Sequence, residues 1–290
     1  MDEQPKAIGP ANPPQADARG FSTMTLKIVA IACMVVDHVP YVMPDALALY
    51  YLPPYWIMHA IGRITAPIFF YLVGVGYFRT RNATRYTIRL LVFAALSYIP
   101  YIAYFKAPDG AKTLGAVITP ENFLDLNVIF TMLFGLLLLR SLHEIKNVPL
   151  KLLAAAGCLI GGAFSDYGLF GMAMIIGFAY TLGNRRVLAA VFCGILMVDL
   201  YTAFLGDWAD AFPATLMAVA GDSANFAFSP RHAYMIVLAC QFLPLFFIQK
   251  HRDPMKVREA RPSPAGKWLF YIFYPAHITA LLFVKLYMFS

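Results

Sequence analysis

Residues 26–43 read LKIVAIACMVVDHVPYVM. After Lys27 the run is apolar until Asp37 and His38, and its length approaches the roughly 20 residues that a helix needs to cross a hydrocarbon core about 30 Å thick. An ionisable side chain inside such a span costs a few kcal/mol, so it normally faces a polar interior or a functional cavity and not lipid. The stretch therefore sets both the fold class and the problem: a membrane helix that carries an acid and a base side by side.

The rest of the chain follows the same pattern. Of 290 residues, 60% are hydrophobic and 13% charged, which is too apolar for an ordinary soluble domain. Apolar windows predict spans over about 26–43, 55–77, 87–105, 124–140, 149–164, 168–183, 187–205, 232–249 and 268–288. The expectation is an all-α, polytopic transmembrane helix bundle of about nine spans. Residues 1–24, rich in Pro, Ala, Gln and Gly, read as a disordered tail, and 25–290 as one transmembrane domain. No period of 20 to 50 residues repeats.

Most of the 23 basic residues fall on alternate loops: Lys6, Arg19 and Lys27; Arg79, Arg81, Arg85 and Arg89; Arg140, Lys146 and Lys151; Arg185 and Arg186; and six between Lys250 and Lys267. The intervening loops carry acids such as Asp207, Asp210 and Asp222. By the positive-inside rule the N-terminus is cytoplasmic and the C-terminus lies outside. The net charge of +7 is thus a topology signal with some attraction to anionic lipid. Basic residues dispersed over five segments make no nucleic-acid surface. Cys33, Cys158, Cys193 and Cys240 show neither CxxC nor Cys/His spacing, so neither a disulfide nor a metal site is expected.

The polar residues inside the spans are the informative ones. His59 and Arg63 are four apart and share a helix face, as do Asn127 and Thr131. Tyr274 and His277 are three apart in the last span. Asp166 and Tyr167 begin the sixth span and Asp199 lies in the seventh. If these faces converge they form one polar pocket opening outward and reached from the cytoplasm by a narrow path. Such a pocket holds the parts for acyl transfer: His38 or His277 as base, Asp37 or Asp166 to orient it, and the permanently charged Arg63 for an oxyanion or phosphate. Structural readings compete. Asp37 and Arg63 can form a buried ion pair, Asn127 and Thr131 can join helices, and Gly157-x-x-x-Gly161 reads as packing. His59, near the outer interface, reads as structural or solvent-exposed, and His143 and His251 as solvated loop residues.

Residues 62–105, GRITAPIFFYLVGVGYFRTRNATRYTIRLLVFAALSYIPYIAYF, preceded by LKIVAIACMVVDHV, resemble the TraX family, named for a protein required for N-terminal acetylation of F-type conjugative pilin. NVIFTMLFGLLLL from Asn127, SDYGLFGM from Ser165 and YPAHI from Tyr274 resemble its later signatures, while 184–265 carries little of the pattern. The resemblance maps onto Asp37, His38, Arg63, Asn127, Asp166 and His277. Ala66 stands where a bulky aromatic is expected and Tyr98 where an acid is common.

By similarity to wider membrane acyltransferases, the resemblance implies an enzyme of the bacterial inner membrane. It would move an acetyl group from cytoplasmic acetyl-CoA to an amine or hydroxyl, on a pilin N-terminus or an envelope glycan. Asp37, His38, His277 and Arg63 are the expected catalytic residues, with Asp37 holding the neighbouring imidazole. Asn127, Asp166, Tyr167 and Tyr274 are the expected donor-binding residues. The implied partners are the lipid bilayer, acetyl-CoA and an acceptor protein or glycan. The rival readings are a proton-coupled transporter built on the same buried groups and a noncatalytic scaffold for pilus or envelope assembly.

Overall fold

A computed structural model describes residues 20–42, 53–107, 114–201, 237, 239–256 and 264–289. They form helices: α1 (Thr23–His38, followed by a 3-10 turn Val39–Val42), α2 (Pro53–Gly62), α3 (Thr65–Arg79), α4 (Ala83–Tyr101), α5 (Leu114–Val117), α6 (Val128–Glu144), α7 (Val148–Ala163), α8 (Gly168–Thr181), α9 (185–201), α10 (Leu243–Gln249) and α11 (Pro264–Phe289). Among the described residues there are no strands, only two isolated bridges, Phe21 with His251 and Leu126 with Ser165. The protein is an all-α membrane bundle. Thr23–Val42, Ile57–Arg79, Ala83–Lys106 and Phe270–Tyr287 are long and apolar enough to cross a bilayer, and Val148–Ala163 and Gly168–Thr181 are shorter apolar helices.

Each expected span contains helix, the eighth only from 237 onward. Four departures have local causes. The second span is broken into α2 and α3 at Arg63 and Ile64, because the ring of Pro67 meets the carbonyl four residues earlier, that of Arg63, and offers it no N–H. The fourth span starts at 128 and not 124, because the Asn127 side chain caps α6 by accepting from the Ile129 N–H at 3.0 Å. Near its end α4 contains Pro100 and continues as a π-helical turn, Ile102–Lys106, a distortion that often marks functional sites. Finally, residues 20–24 belong to the bundle and not to a disordered tail. Ser22 caps α1 and Phe21 exchanges backbone hydrogen bonds with Lys250 and Arg252.

The core lies between α3, α6 and α8, around Phe70, Leu136, Ile175 and Phe178. Backbones approach closely there, since a side-chain carbon added at Gly74 would touch Ala179, the small-residue packing typical of membrane helices. Of the expected Gly157/Gly161 pair, Gly161 lies under Phe134, whereas Gly157 meets nothing. The outward faces are apolar: Leu152, Leu153 and Ile160 of α7 are more than 60% exposed, as suits contact with lipid.

Candidate active site

One cavity of about 1480 Å³ runs the length of the bundle. Along α1 it is lined by Thr23, Lys27, Ile31, Met34, His38 and Tyr41, a stripe with helical spacing from one end of the helix to the other. At the end bearing the basic loops, its wall includes Lys27, Arg79, Arg81 and Arg89. Toward the other end it includes Asp37, His38, Arg63, Asp166, Tyr167, Asp199 and Tyr274. The polar residues singled out in the sequence thus share one cavity, which continues to Lys27 and Arg79 at the basic loops.

Two hydrogen-bonded pairs stand in the wall near Arg63. His38 Nδ1 lies 2.8 Å from His277 Nε2 with the rings nearly parallel, and Asp37 Oδ1 lies 2.7 Å from His59 Nδ1. Asp37 therefore holds His59 and not its sequence neighbour His38. Adjacent residues on a helix point about 100° apart, so two helices are needed to partner them. Gly62 admits the acid, since any side chain there would collide with the Asp37 carboxylate. His59 is buried, at 5% exposure, which fits the structural one of its two sequence readings and not the solvent-exposed one. Its Nε2 is enclosed without a hydrogen-bond partner among the described residues. Sequence reading placed His59 outside the site, and the rotation of α2 against α1 that brings it to Asp37 has no signal in the chain. Of each pair one member lines the cavity, Asp37 and His38, while His59 and His277 lie behind them.

The tautomers of the histidine pair follow from its partners. His277 Nδ1 is 2.9 Å from the Phe273 carbonyl, an acceptor only, so this nitrogen carries the proton. In the neutral ring Nε2 then holds a lone pair, and His38 Nδ1 must donate to it. That leaves the lone pair of His38 on Nε2, to which no described residue hydrogen-bonds. Around the ring, Phe105 packs edge-on at 5.0 Å between centroids, and the Tyr104 hydroxyl donates to the His38 carbonyl at 2.7 Å. Both come from the π-helical turn, so the distortion after Pro100 is what seats His38.

Arg63 sits at the break between α2 and α3, and its Nε is buried without a hydrogen-bond partner among the described residues. A charged donor left open beside a cavity is available to an anion. Asp166 and Tyr167 form the turn between α7 and α8. That turn is fixed by the bridge to Leu126 and by Ser165, whose hydroxyl accepts from Thr131 at 2.9 Å. The Tyr101 hydroxyl donates to Asp166 at 3.3 Å. The protein crowded around the Asp166 carboxyl pushes its pKa up, while Lys106, Tyr101 and Arg63 act against that rise.

The remaining expected residues divide. Tyr167 and Tyr274 line the cavity. Asn127 does not: fully buried, it caps α6 and donates to the Ala94 carbonyl at 2.9 Å. Thr131 likewise joins α6 to the α7–α8 turn. Ala66 lines the passage, which a bulky side chain would narrow, whereas Tyr98 donates to the Phe123 carbonyl and stays off the wall. His251, read as a solvated loop residue, is 2% exposed and bonds Tyr71 and Thr23. No cluster of three or more His, Cys, Asp or Glu side chains that could hold a metal occurs among the described residues.

A family model described as TraX protein matches residues 22–285. The chain is also 25% identical over 273 residues to a protein of Dichelobacter nodosus described as probable fimbrial assembly protein FimC, serogroup H1, covering 92% of this chain and 97% of that one. No solved structure matches.

Proposed function

The chain belongs to the TraX family, and on that premise we propose that it is an acetyltransferase of the bacterial inner membrane, using cytoplasmic acetyl-CoA to acetylate a component of pilus or fimbrial assembly. The observation that carries this reading is the His38–His277 pair, whose hydrogen bonds leave one lone pair, on Nε2 of His38, a residue that lines the same passage as Arg63. The likeness to a fimbrial assembly protein directs the choice of acceptor to a pilin-type amine before an envelope glycan.

In this mechanism His38 Nε2 takes the proton of the acceptor N–H or O–H as the acceptor attacks the thioester carbonyl carbon. Arg63 faces the negative charge that develops on the carbonyl oxygen. The C–S bond then breaks, and the proton held by His38 passes to the departing thiolate. His277 is a positioning residue that fixes the His38 tautomer. Tyr104 and Phe105 hold the ring in place. A variant in which His38 Nε2 itself carries the acetyl group between donor and acceptor uses the same atoms.

The test is transfer of labelled acetyl from acetyl-CoA to a pilin N-terminal peptide by purified protein, comparing wild type with a folded His38→Ala variant. Transfer by wild type that is lost in the variant supports the proposal. A folded wild type that neither binds acetyl-CoA nor transfers acetyl sinks it. A proton-coupled transporter is the second reading, favoured by a passage that spans the bundle and by the buried Asp37–His59 pair. It predicts flux without acetyl-CoA.

A further inference from the structure

The reacting end of the passage is acidic and the opposite end basic. Asp37, Asp166 and Asp199 line the part near Arg63, whereas Lys27, Arg79, Arg81 and Arg89 line the part at the basic loops. The cations are set among aromatic rings. Lys27 Nζ lies 4.6 Å from the Phe270 ring centroid, and the Arg89 guanidinium lies 5.8 Å from both Tyr86 and Tyr271. Arg89 Nε is buried without a hydrogen-bond partner among the described residues. Arg79 donates twice to the Pro254 carbonyl and ties down the loop after α10. Trp268, 44% exposed, stands on the same wall. Positive-inside topology explains cations in the loops, but not cations turned into a cavity beside rings.

The separation of the two ends is fixed by α1. From Lys27 to His38 the helix rises about 16 Å. A coenzyme A thioester has a pantetheine arm of roughly twelve bonds between its phosphate ester oxygen and its sulfur. That equals four extended residues, about 14 Å. The passage thus matches in length a donor whose phosphates and acyl group are held apart by that arm.

We propose that Lys27, Arg81 and Arg89 form the phosphate subsite of the donor, gripping the phosphorylated nucleotide of coenzyme A at the basic mouth while Trp268 offers its ring to the adenine. The proposal rests on the acetyl-transfer reading and adds where the donor binds and which donors are accepted. Phosphate ester is the chemistry recognised, and anionic lipid at the same leaflet is the other source of it.

The experiment is calorimetric binding of coenzyme A, dephospho-coenzyme A and pantetheine to full-length protein in phosphatidylcholine nanodiscs. Wild type is compared with Lys27→Gln, Arg81→Gln, Arg89→Gln, Trp268→Phe and His38→Ala, each checked by thermal unfolding. The expected result is coenzyme A binding that weakens on the order of tenfold for each cation removed, falls with added salt, and persists in His38→Ala. Pantetheine binds weakly and equally to all variants, and Trp268→Phe loses affinity for coenzyme A but not for pantetheine.

Should the cation variants bind coenzyme A as wild type does, while His38-dependent acetyl transfer is intact, the subsite is overturned and the transfer reading stands. If coenzyme A binds through these cations but no acetyl moves, the transfer reading fails and the subsite stands. Replacing a fraction of the lipid with phosphatidylglycerol separates the two sources. Competitive loss of coenzyme A binding at fixed ionic strength would assign the mouth to lipid and overturn the proposal.

Discussion

Two histidine clusters, one toward each end of the bundle, are held in opposite ways. At the basic end, His251 bonds the Tyr71 hydroxyl through Nδ1 at 2.8 Å and the Thr23 hydroxyl through Nε2 at 3.1 Å. Its backbone pairs with Phe21, and Arg185 donates to its carbonyl. Toward the other end, His38 bonds through one ring nitrogen only among the described residues. Sequence alone reads His38 as a candidate base within a span and His251 as a solvated loop residue, yet the structure encloses both. Counting nitrogens separates them: a ring with both nitrogens engaged joins elements, and a ring with one lone pair beside a cavity can do chemistry. His251 is a latch joining the start of α1, the middle of α3 and the loop after α10. His38 is the candidate base.

The contrast breaks most directly at His38. His38→Ala is expected to lower acetyl transfer by about 10²–10⁴, the usual contribution of a general base, with its unfolding temperature near that of wild type. An equal loss of stability would make His38 structural and erase the difference from His251. Next in size is Arg63→Ala, for which loss of a charge aimed at the oxyanion is expected to cost about 10²–10³ in kcat, with little change in coenzyme A affinity. If affinity falls and kcat does not, Arg63 is a binding residue.

His277 sharpens the same comparison, because its role passes through His38. His277→Ala frees His38 to adopt either tautomer and to tilt, and misplacement of this kind costs up to about a hundredfold. His277→Gln keeps an amide oxygen able to accept from His38 Nδ1 and is expected to recover part of that loss. Rates for both variants should be compared with acetyl-CoA saturating. Equal rates in Ala and Gln would show that the hydrogen bond to His38 is irrelevant.

What the sequence revealed follows from what each feature depends on. Span positions depend on local hydropathy, and the bundle follows them within a few residues. The shifts at Asn127 and Pro67 arise from a cap and a proline, both visible locally. Selection of Asp37, His38, Arg63, Asp166 and His277 rested on the cost of polarity in lipid, and all but His277 line the passage, with His277 directly behind His38. Pairing is another matter. That Asp37 reaches α2 while His38 reaches α11 depends on the rotation of three helices about their axes, and that His251 folds inward depends on an irregular loop returning to Phe21. Neither leaves a periodic trace. Residues 43–52 and 202–236 of the predicted loops and spans lie outside the described residues.

On the latch side, His251→Ala removes the hydrogen bonds from the imidazole to Tyr71 and Thr23. Each such bond contributes about 0.5–1.5 kcal/mol, so thermal unfolding in detergent should move down. The proposed transfer, measured well below that transition, should keep its rate. A variant as stable as wild type would mean that water replaces the imidazole and the latch contributes nothing. A fall in rate with stability intact would tie the basic end of the passage to the chemistry and blur the division between the two clusters.

The smallest effect tests how the favoured histidine is held. Tyr104 donates to the His38 carbonyl from a π-helical turn, and this bond is the direct link between the irregular end of α4 and the end of α1. Removing the hydroxyl in Tyr104→Phe leaves the ring packing in place and forfeits one hydrogen bond, worth about 1 kcal/mol. If the bond merely stabilises the bundle, the unfolding temperature drops slightly and the rate is unchanged. If the π turn exists to seat His38, kcat falls while affinity for coenzyme A stays fixed, since the proposed phosphate subsite lies at the far end of the passage. The second outcome is expected, because Phe105 of the same turn packs on the His38 ring, so a turn that drifts carries a wall of the site with it.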